Sequence, residues 1–411
     1  MGVRIQPVLQ AACWRKTLAS ISVAPMNDIA QVPGPAPAAA VCARDGLLPR
    51  QRIRELVRRG HVQGADPLDE GQFQPASLDL RLGAHAYRVR ASFLPGARSS
   101  VDDKLKVLQW ERIDLSQGAI FERGCVYVVE LAERLDLPST ISAAANPKSS
   151  TGRLDVFTRL ITDRSEVFDA VEPGYCGPLY AEVSPRSFSI KVRKGTRLNQ
   201  IRFRQHLLGE TGRDGPLSDQ MLRDVHARSP LVDADELAVR NGLVLRIELG
   251  GLGPDNLVGY RAQRHTDVID VERIAAYRAD DYWEPIASRP DGRLILDPNE
   301  FYILVSKERL HIPPHLAAEM VPIDPAMGEF RVHYAGFFDP GFGYSPGGHP
   351  GSRAVMEVRS HEVPFALEDG QMVCRLAYEG MAEEPDVLYG AIGTSNYQGQ
   401  ALRLSKQFIQ G

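Results

Sequence analysis

The stretch CVYVVELAERLDLP, Cys125–Pro138, decides the fold, because a second version of it stands later in the chain. The stretch is rich in β-branched residues and stops at a proline, which is typical of a β-strand. The second version, EFYILVSKERLHIP, spans Glu300–Pro313, so the two terminal prolines are 175 positions apart. A repeat at this spacing predicts that one β fold occurs twice in the chain.

Other motifs repeat in the same way. Glu182 in GYCGPLYAEVS corresponds to Glu357 in GSRAVMEVRS, again 175 positions later. EPGYCG at Glu172–Gly177 corresponds to DPGFGY at Asp339–Tyr344, at a spacing of 167 positions. Short strands separated by turn residues are typical of all-β barrels and sandwiches. The sequence therefore predicts a mainly β protein with a few short helices, in which one barrel or sandwich is duplicated in tandem.

Composition divides the chain into five parts. The low-complexity segment VPGPAPAAA lies near the N-terminus, and the Gly-rich segment LLGETGRDGPLSDQ separates the two repeats. The predicted parts are a disordered N-terminal extension (1–43), a first barrel with the candidate site motifs (44–206), a linker (207–240), a degenerate second barrel (241–394) and a tail (395–411). We call the two barrels the first and the second copy.

Charge and cysteine content exclude several classes of function. A formal net charge of −4 provides no basic surface for a nucleic-acid polymer. The five cysteines contain no C-x-x-C pair, which disfavours a cysteine zinc site and fits a reducing cytoplasm. No apolar run reaches the roughly 18 residues of a membrane span. We therefore expect a cytoplasmic protein that binds neither nucleic acid nor membrane.

The polar stretch NPKSSTGRLD, Asn146–Asp155, is the candidate ligand site. Hydroxyls, a glycine and two cations in one turn suit a phosphate group. The corresponding stretch of the second copy, IDPAMGE at 323–329, has neither the two serines nor the arginine. Loss of the cluster from the second copy favours a ligand site in the first, because a purely structural turn would be kept in both. The alternative is a turn with incidental hydroxyls. Neither a P-loop nor a Rossmann motif is present.

Four motifs together carry a family resemblance. FQPASLDLRLG (Phe73–Gly83), KSSTGR (Lys148–Arg153), EPGYCGPLYAE (Glu172–Glu182) and NYQGQALRLSK (Asn396–Lys406) resemble, in this order, the motifs of dCTP deaminases. Those enzymes belong to the trimeric dUTPase-like β-barrel superfamily, so the resemblance implies tandem duplicated dUTPase-like β-barrels. The resemblance implies hydrolysis of dCTP to dUTP and ammonia, supplying dUMP for thymidylate synthesis. It also implies a homotrimer, Mg²⁺ carried by the nucleotide triphosphate, and no zinc.

The resemblance also implies the site residues. The catalytic residues would be Glu182, Ser149 and Arg153, with Glu182 as the base and Ser149 holding the water or the amino group. Lys148 replaces an arginine of the family, and Glu172 replaces an aspartate. The residues expected to bind nucleotide are Lys148, Ser150, Thr151, Gly152, Glu172, Tyr180, Ala181, Gln200, Tyr397 and Gln400. The tail would fold over the nucleotide and exclude water.

The chemistry expected of Glu182 does not involve a protein-bound metal. Zinc deaminases carry H-x-E and P-C-x-x-C motifs, and the sequence contains neither. A carboxylate in a dry pocket can instead take a proton from the water that attacks C4 of cytosine. One alternative stays open, since Glu357 could complete the site if the two barrels abut.

Two other functions compete with dCTP deamination. One is a phosphohydrolase of the same superfamily, either a dUTPase or a bifunctional dCTP deaminase and dUTP diphosphatase. The other is a regulator that binds deoxynucleotides without catalysis. Retention of both Ser149 and Glu182 argues against the regulator.

Overall fold

The protein is described from a computed structural model. It describes residues 45–206, 215–234, 237–322, 330–333, 336–344, 351–360, 362–391 and 395–409. The predicted N-terminal extension 1–43 lies outside these ranges. So does 323–329, the counterpart of KSSTGR in the second copy.

The first copy consists mainly of short antiparallel strands. They are β1 (Gly46–Leu47), β2 (Val62–Gly64), β3 (Leu78–Leu80), β4 (Leu82–Val89), β5 (Gln109–Asp114), β6 (Ala119–Phe121), β7 (Val126–Asp136), β8 (Ile141–Pro147), β9 (Val156–Thr162), β10 (Ala170–Val171), β11 (Cys176–Pro185), β12 (Ile190–Val192) and β13 (Asn199–Gln205). One sheet has the order β5-β4-β7-β11-β9, and a second has the order β1-β13-β8-β10.

The second copy repeats this arrangement. Its described strands are β14 (Leu243–Arg246), β15 (Leu257–Ala262), β16 (Ile269–Asp270), β17 (Trp283–Ala287), β18 (Arg293–Leu296), β19 (Phe301–Leu310), β20 (Leu316–Pro322), β21 (Phe330–His333), β22 (Phe337–Phe338), β23 (Ser352–Ser360), β24 (Phe365–Glu368) and β25 (Met372–Gly380). The sheet β17-β15-β19-β23-β21 has the strand order of the first sheet in the first copy.

Helices are few and short among the described residues. They are α1 (Arg50–Arg58), α2 (Val101–Leu108), α3 (Ser149–Gly152) and α4 (Asp219–Arg228), with 3-10 turns at Glu70–Gln72 and Ala279–Asp281. Helix α2 begins at Ser100, whose side chain accepts a hydrogen bond from the Asp103 N–H. Helix α4 lies in the stretch 207–240 predicted as a linker, and its Leu222 packs in the second core. None of the described helices is long and apolar enough to cross a membrane.

The strand ladders confirm the predicted duplication and the mainly β fold. Glu182 on β11 lies opposite Val128 on β7, and Glu357 on β23 lies opposite Ile303 on β19. Both members of the second pair stand 175 positions after their counterparts. The repeat seen in the sequence is therefore a repeat of strand register, which places Glu182 and Glu357 at the same position of the two barrels.

The equivalent faces of these two sheets are covered differently. On β19 and β23, the outward side chains of Ile303 and Val355 join the core of the first copy. On β7 and β11, the outward Val128 and Tyr180 pack in a separate cluster with Val101 and Leu105 of α2. The outer face of the second-copy sheet thus packs against the first copy, whereas the outer face of the first-copy sheet packs against helix α2.

Two tryptophans at one repeat position show the same difference. Arg88 pairs with Glu111 across β4 and β5, and Arg261 pairs with Glu284 across β15 and β17, so the preceding residues Trp110 and Trp283 correspond. Trp283 is 1% exposed and packs edge-on against Phe188 of the first copy, with ring centroids 5.3 Å apart. Trp110 is 66% exposed. The interface between the copies therefore buries this strand position on one side only.

Candidate active site

The serine loop, which we define as Lys148–Asp155, is a single tight turn after β8. The N–H groups of Thr151 and Gly152 both donate to the Lys148 carbonyl, at 2.8 and 3.0 Å, and so form α3. Asp155 ends the turn with φ 54°, in the left-handed region that few residues other than glycine adopt. Small side chains allow this turn to form close to the second copy. The turn directs the cluster predicted from the sequence toward one cavity.

This cavity lies between the two copies and has a volume of about 530 Å³. The serine loop forms one wall, and β22, β23 and the tail form others. The predicted site residues along its wall are Lys148, Ser149, Ser150, Thr151, Gly152, Arg153, Gln200, Tyr397 and Gln400. These nine residues are therefore brought together by the fold, as the sequence predicts.

The second copy contributes the buried carboxyl of Glu357 to the cavity wall, which also includes Asp79, Glu272 and Asp339. It is 5% exposed and points from β23 to the same side as Val355. Burial raises the pKa of Glu357 to about 8; the Arg153 charge acts against this shift and the Asp155 charge adds to it. A carboxyl group with such a pKa is mostly protonated at neutral pH and can both give and take a proton.

Arg153 joins the serine loop to the tail. Its Nη1 donates to the Arg403 carbonyl at 2.9 Å, and its Nη2 donates to Gln400 Oε1 at 3.1 Å. Its guanidinium carbon lies 3.9 Å from the ring centroid of Tyr397. Because both tail residues hold one cation beside Glu357, the tail is part of the site wall. That Tyr397 and Gln400 also contact the nucleotide stays a prediction.

The other end of the cavity is cationic. Lys148, Arg197 and Lys406 all contribute to its wall. Lys148 is ion-paired with Asp79, and burial, together with the nearby Lys148 charge, lowers the pKa of Lys406. Thr196 Oγ donates to Glu272 at 2.6 Å. Cations from the serine loop, the β12–β13 turn and the tail converge here, with Lys148 and Arg197 paired to Asp79 and Asp69, and such a cluster of cations can bind a polyphosphate.

An aromatic wall from the second copy lines the remaining side. Phe338 and Phe342 are in edge-to-face contact at 5.2 Å, and Phe342 contacts Tyr389 at 5.5 Å. Asp339, from the DPGFGY motif, accepts a hydrogen bond from Arg202 Nη2 of the first copy at 2.9 Å. An apolar wall beside a protonatable carboxyl suits a flat heterocyclic base.

The structure does not bring Glu182 into the cavity. Glu182 points to the outer face of β11, where Arg159 Nη2 donates to its Oε1 at 2.7 Å. The Arg159 guanidinium carbon lies 3.4 Å from the ring centroid of Phe168, which covers the pair. Burial raises the pKa of the neighbouring Asp169 to about 7. The predicted grouping of Glu182 with Ser149 and Arg153 is thus replaced by one with Glu357.

Three predicted nucleotide-binding residues also lie away from the cavity. Glu172 is exposed at a turn, where its carbonyl accepts a hydrogen bond from the Tyr175 N–H. Tyr180 packs in the cluster under α2, and Ala181 packs in the barrel core. All three belong to the segment that carries Glu182. This segment lies away from the serine loop because helix α2 covers the outer face of the sheet that contains it.

The motifs are in fact divided between the copies. The first copy retains the serine loop, and the second retains D-P-G at Asp339–Gly341 together with Glu357. Each copy has lost or altered the other half: Glu172 replaces the aspartate in the first copy, and 323–329 lacks the serines in the second. The sequence left this division open as the alternative to Glu182, and the intact D-P-G in the second copy is a further signal for it.

Within the described ranges, no group of three or more His, Cys, Asp or Glu side chains is arranged to hold a metal ion. The polar groups around the cavity are hydroxyls, cations and single carboxylates, several of them paired with cations of the protein.

Comparison with known proteins agrees with the division into two copies. Residues 44–207 match the family model for the 2'-deoxycytidine 5'-triphosphate deaminase N-terminal domain, and residues 218–408 match the model for its C-terminal domain. The chain belongs to the dCTP deaminase family. The two matches together cover more than half of the chain, which confirms the family predicted from the four motifs.

Members of the dCTP deaminase family with similar chains include a solved structure. The crystal structure of 2'-deoxycytidine 5'-triphosphate deaminase from Agrobacterium tumefaciens is 54% identical, with a TM-score of 0.78, over 83% of this chain and 99% of that one. The "dCTP deaminase, dUMP-forming" of Methanoculleus marisnigri is 28% identical over 37% of this chain and 76% of its own length. That of Parafrankia sp. is 30% identical over 38% and 74%.

Proposed function

We propose that the protein hydrolyses the C4–amino bond of dCTP and releases dUTP and ammonia. The observation that carries the proposal is the meeting of Ser149, Arg153 and the buried carboxyl of Glu357 in one cavity. The cationic end takes the triphosphate, and the aromatic wall takes the cytosine. Membership in the dCTP deaminase family supports this assignment of substrate.

Glu357 moves the protons in this reaction. In its protonated form it donates to N3 of cytosine, and the resulting carboxylate takes a proton from the water that attacks C4. It passes this proton to the amino group, the C4–N bond breaks, and ammonia leaves. The proton of the new hydroxyl returns to Glu357 as the C4 carbonyl forms. Ser149 orients the water or the amino group, and Arg153 stabilises the developing charge.

The triphosphate is expected to carry Mg²⁺. The carboxylates near the cationic end are engaged by the protein, because Asp79 is ion-paired with Lys148 and Glu272 accepts a hydrogen bond from Thr196. These residues fit a metal held mainly by phosphate oxygens and water. Bound in this way, Mg²⁺ supplies charge neutralisation on the triphosphate.

The test is an assay with dCTP, dCMP and dUTP in which ammonia, dUTP, dUMP and pyrophosphate are resolved. The expected result is one molecule of ammonia released for each molecule of dCTP consumed. A protein that binds dCTP without turnover would instead be a regulator. Conversion of dUTP to dUMP without any ammonia from dCTP would indicate a phosphohydrolase.

A second candidate function is onward hydrolysis of dUTP to dUMP and pyrophosphate. The relatives from Methanoculleus marisnigri and Parafrankia sp. are named dUMP-forming, which is why the assay also measures dUMP and pyrophosphate. The same assay tests it: pyrophosphate appearing in step with ammonia supports a bifunctional enzyme. Accumulation of dUTP without pyrophosphate supports deamination alone.

We also propose that the protein is cytoplasmic and assembles as a homotrimer. Support for self-association comes from Trp110, which is 66% exposed at the position where Trp283 is buried against the first copy. A second chain would cover this position. Light scattering of the purified protein tests the assembly, with three chains expected. An active protein that stays monomeric at working concentration would contradict it.

A further inference from the structure

A buried ion pair joins the serine loop to the strand that carries Glu357. Arg359 Nη2 contacts Asp155 Oδ2, and both side chains are almost fully buried. Asp155 follows Arg153 by two positions in the serine loop, and Arg359 follows Glu357 by two positions on β23. The pair therefore spans the joint between the copies within two residues of each half of the site.

Each partner is anchored within its own copy. Ser187 Oγ donates to Asp155 Oδ2 at 2.6 Å, and the Arg186 N–H donates to the Asp155 carbonyl at 2.9 Å. Arg359 Nη1 donates to the Asn299 carbonyl, two residues before β19 begins. Because each partner is also bonded within its own copy, the ion pair fixes the serine loop relative to β23.

We propose that Asp155 and Arg359 are positioning residues that hold Glu357 in register with Ser149 and Arg153. The proposal rests on the proposed deaminase function. Alternate residues of a strand point to one side, so Arg359 and Glu357 both face the first copy. Because Glu357 belongs to one copy and Ser149 to the other, their separation depends on contacts across the joint. A misplacement of about 1 Å can cost roughly a hundredfold in rate.

The test compares Asp155→Asn, Arg359→Gln and Arg359→Lys with the wild type, by ammonia release from dCTP and by thermal melts. The control is Glu308→Gln. Glu308 is a buried carboxylate of the second copy, bonded to Arg246 Nε at 2.7 Å and absent from the cavity wall. This variant removes a similar ion pair away from the site.

The two neutral variants are expected to lose about ten- to a hundredfold in kcat, with KM changed less than about threefold. Arg359→Lys keeps the charge, so its kcat should stay within about fivefold of the wild type. Glu308→Gln should lower the melting temperature while kcat changes less than about threefold. A kcat within threefold in both neutral variants, or an equal loss in Arg359→Lys and Arg359→Gln, would overturn the proposal.

Two further measurements keep the proposal decidable. If a neutral single variant does not fold, Asp155→Asn combined with Arg359→Gln leaves no unpaired buried charge, and the same loss of kcat is expected. If the wild type releases no ammonia from dCTP, the proposed function fails. Hydrogen exchange of the serine-loop amides then still tests the pair: faster exchange in Asp155→Asn but not in Glu308→Gln supports it, and equal exchange contradicts it.

Discussion

Glu182 and Glu357 occupy the same strand position in the two copies and have opposite surroundings. Glu182 is 1% exposed and ion-paired with Arg159, whereas Glu357 faces the cavity shared with Ser149 and Arg153. The Arg159 guanidinium thus occupies one oxygen of the Glu182 carboxylate and turns it away from the cavity. Among the side chains that the structure describes, none forms an ion pair with Glu357 within 4.0 Å, and its proton is available for exchange with a ligand.

The first prediction separates the two glutamates by activity. Glu357→Gln should lower kcat by at least about 10²–10⁴-fold, since it keeps the shape and removes the acid and base. Glu182→Gln should leave kcat within a few-fold, although it weakens a buried ion pair. Ammonia release measures both, with folding checked by melts. The reverse pattern would restore the assignment made from the sequence motif.

The second prediction concerns the pH dependence of stability. The folded protein keeps the Glu357 proton up to about pH 8, while the unfolded chain releases it near 4.5. Between these values the native state binds more protons, so the free energy of unfolding must fall as pH rises, and level off above about 8. Glu357→Gln removes this contribution, which is on the order of a few kcal/mol.

Denaturant titrations of both proteins at several pH values between 5 and 9 measure this effect. As pH rises, the free energy of unfolding of the wild type should fall relative to that of Glu357→Gln. Parallel curves for the two proteins would show that Glu357 titrates normally.

The third prediction concerns the tail. Tyr397→Leu removes the ring over Arg153 and should lower kcat/KM about tenfold, in line with a desolvated cation–π contact. Tyr397→Phe keeps the ring and should stay within about threefold. Deleting residues 395–411 should raise KM and lower kcat together. That the tail moves when nucleotide binds stays a prediction, and unchanged kinetics after the deletion would refute it.

The fourth prediction uses the two equivalent tryptophans. Trp283→Ala should lower the free energy of unfolding by about 3–5 kcal/mol, because it empties a packed site between the copies. Trp110→Ala, at the same repeat position, should change that of the monomer by no more than about 0.5 kcal/mol. Chemical denaturation measures both. Because the proposed self-association covers Trp110, Trp110→Ala should weaken assembly instead. Similar losses in the two variants at a concentration where the protein is monomeric would contradict the prediction.

Much of this could be predicted from the sequence because it depends on local pattern. The repeat of Pro138 and Pro313, and the polar turn at Ser149, are visible without any knowledge of tertiary contacts. The partner of that turn is not local. It depends on which of the two equivalent sheet faces packs against the serine loop. In the first copy α2 already covers that face, so the face of the second copy is the one that lies beside the loop.

No propensity or spacing distinguishes Glu182 from Glu357, because both stand in the same strand register. The choice between them follows from long-range packing of Ile303 and Val355 against the first copy. One sequence signal does point the right way. The D-P-G that accompanies Glu357 is intact, whereas Glu172 has altered the motif that accompanies Glu182.

The division of the site between two copies of one chain has a genetic consequence. Where such halves lie on separate subunits, two different inactive mutants can be mixed and restore some intact sites. Here Ser149 and Glu357 are covalently linked in every chain. A cell that expresses a Ser149→Ala gene beside a Glu357→Gln gene should therefore gain no deaminase from the combination, and the two alleles should fall into a single complementation group.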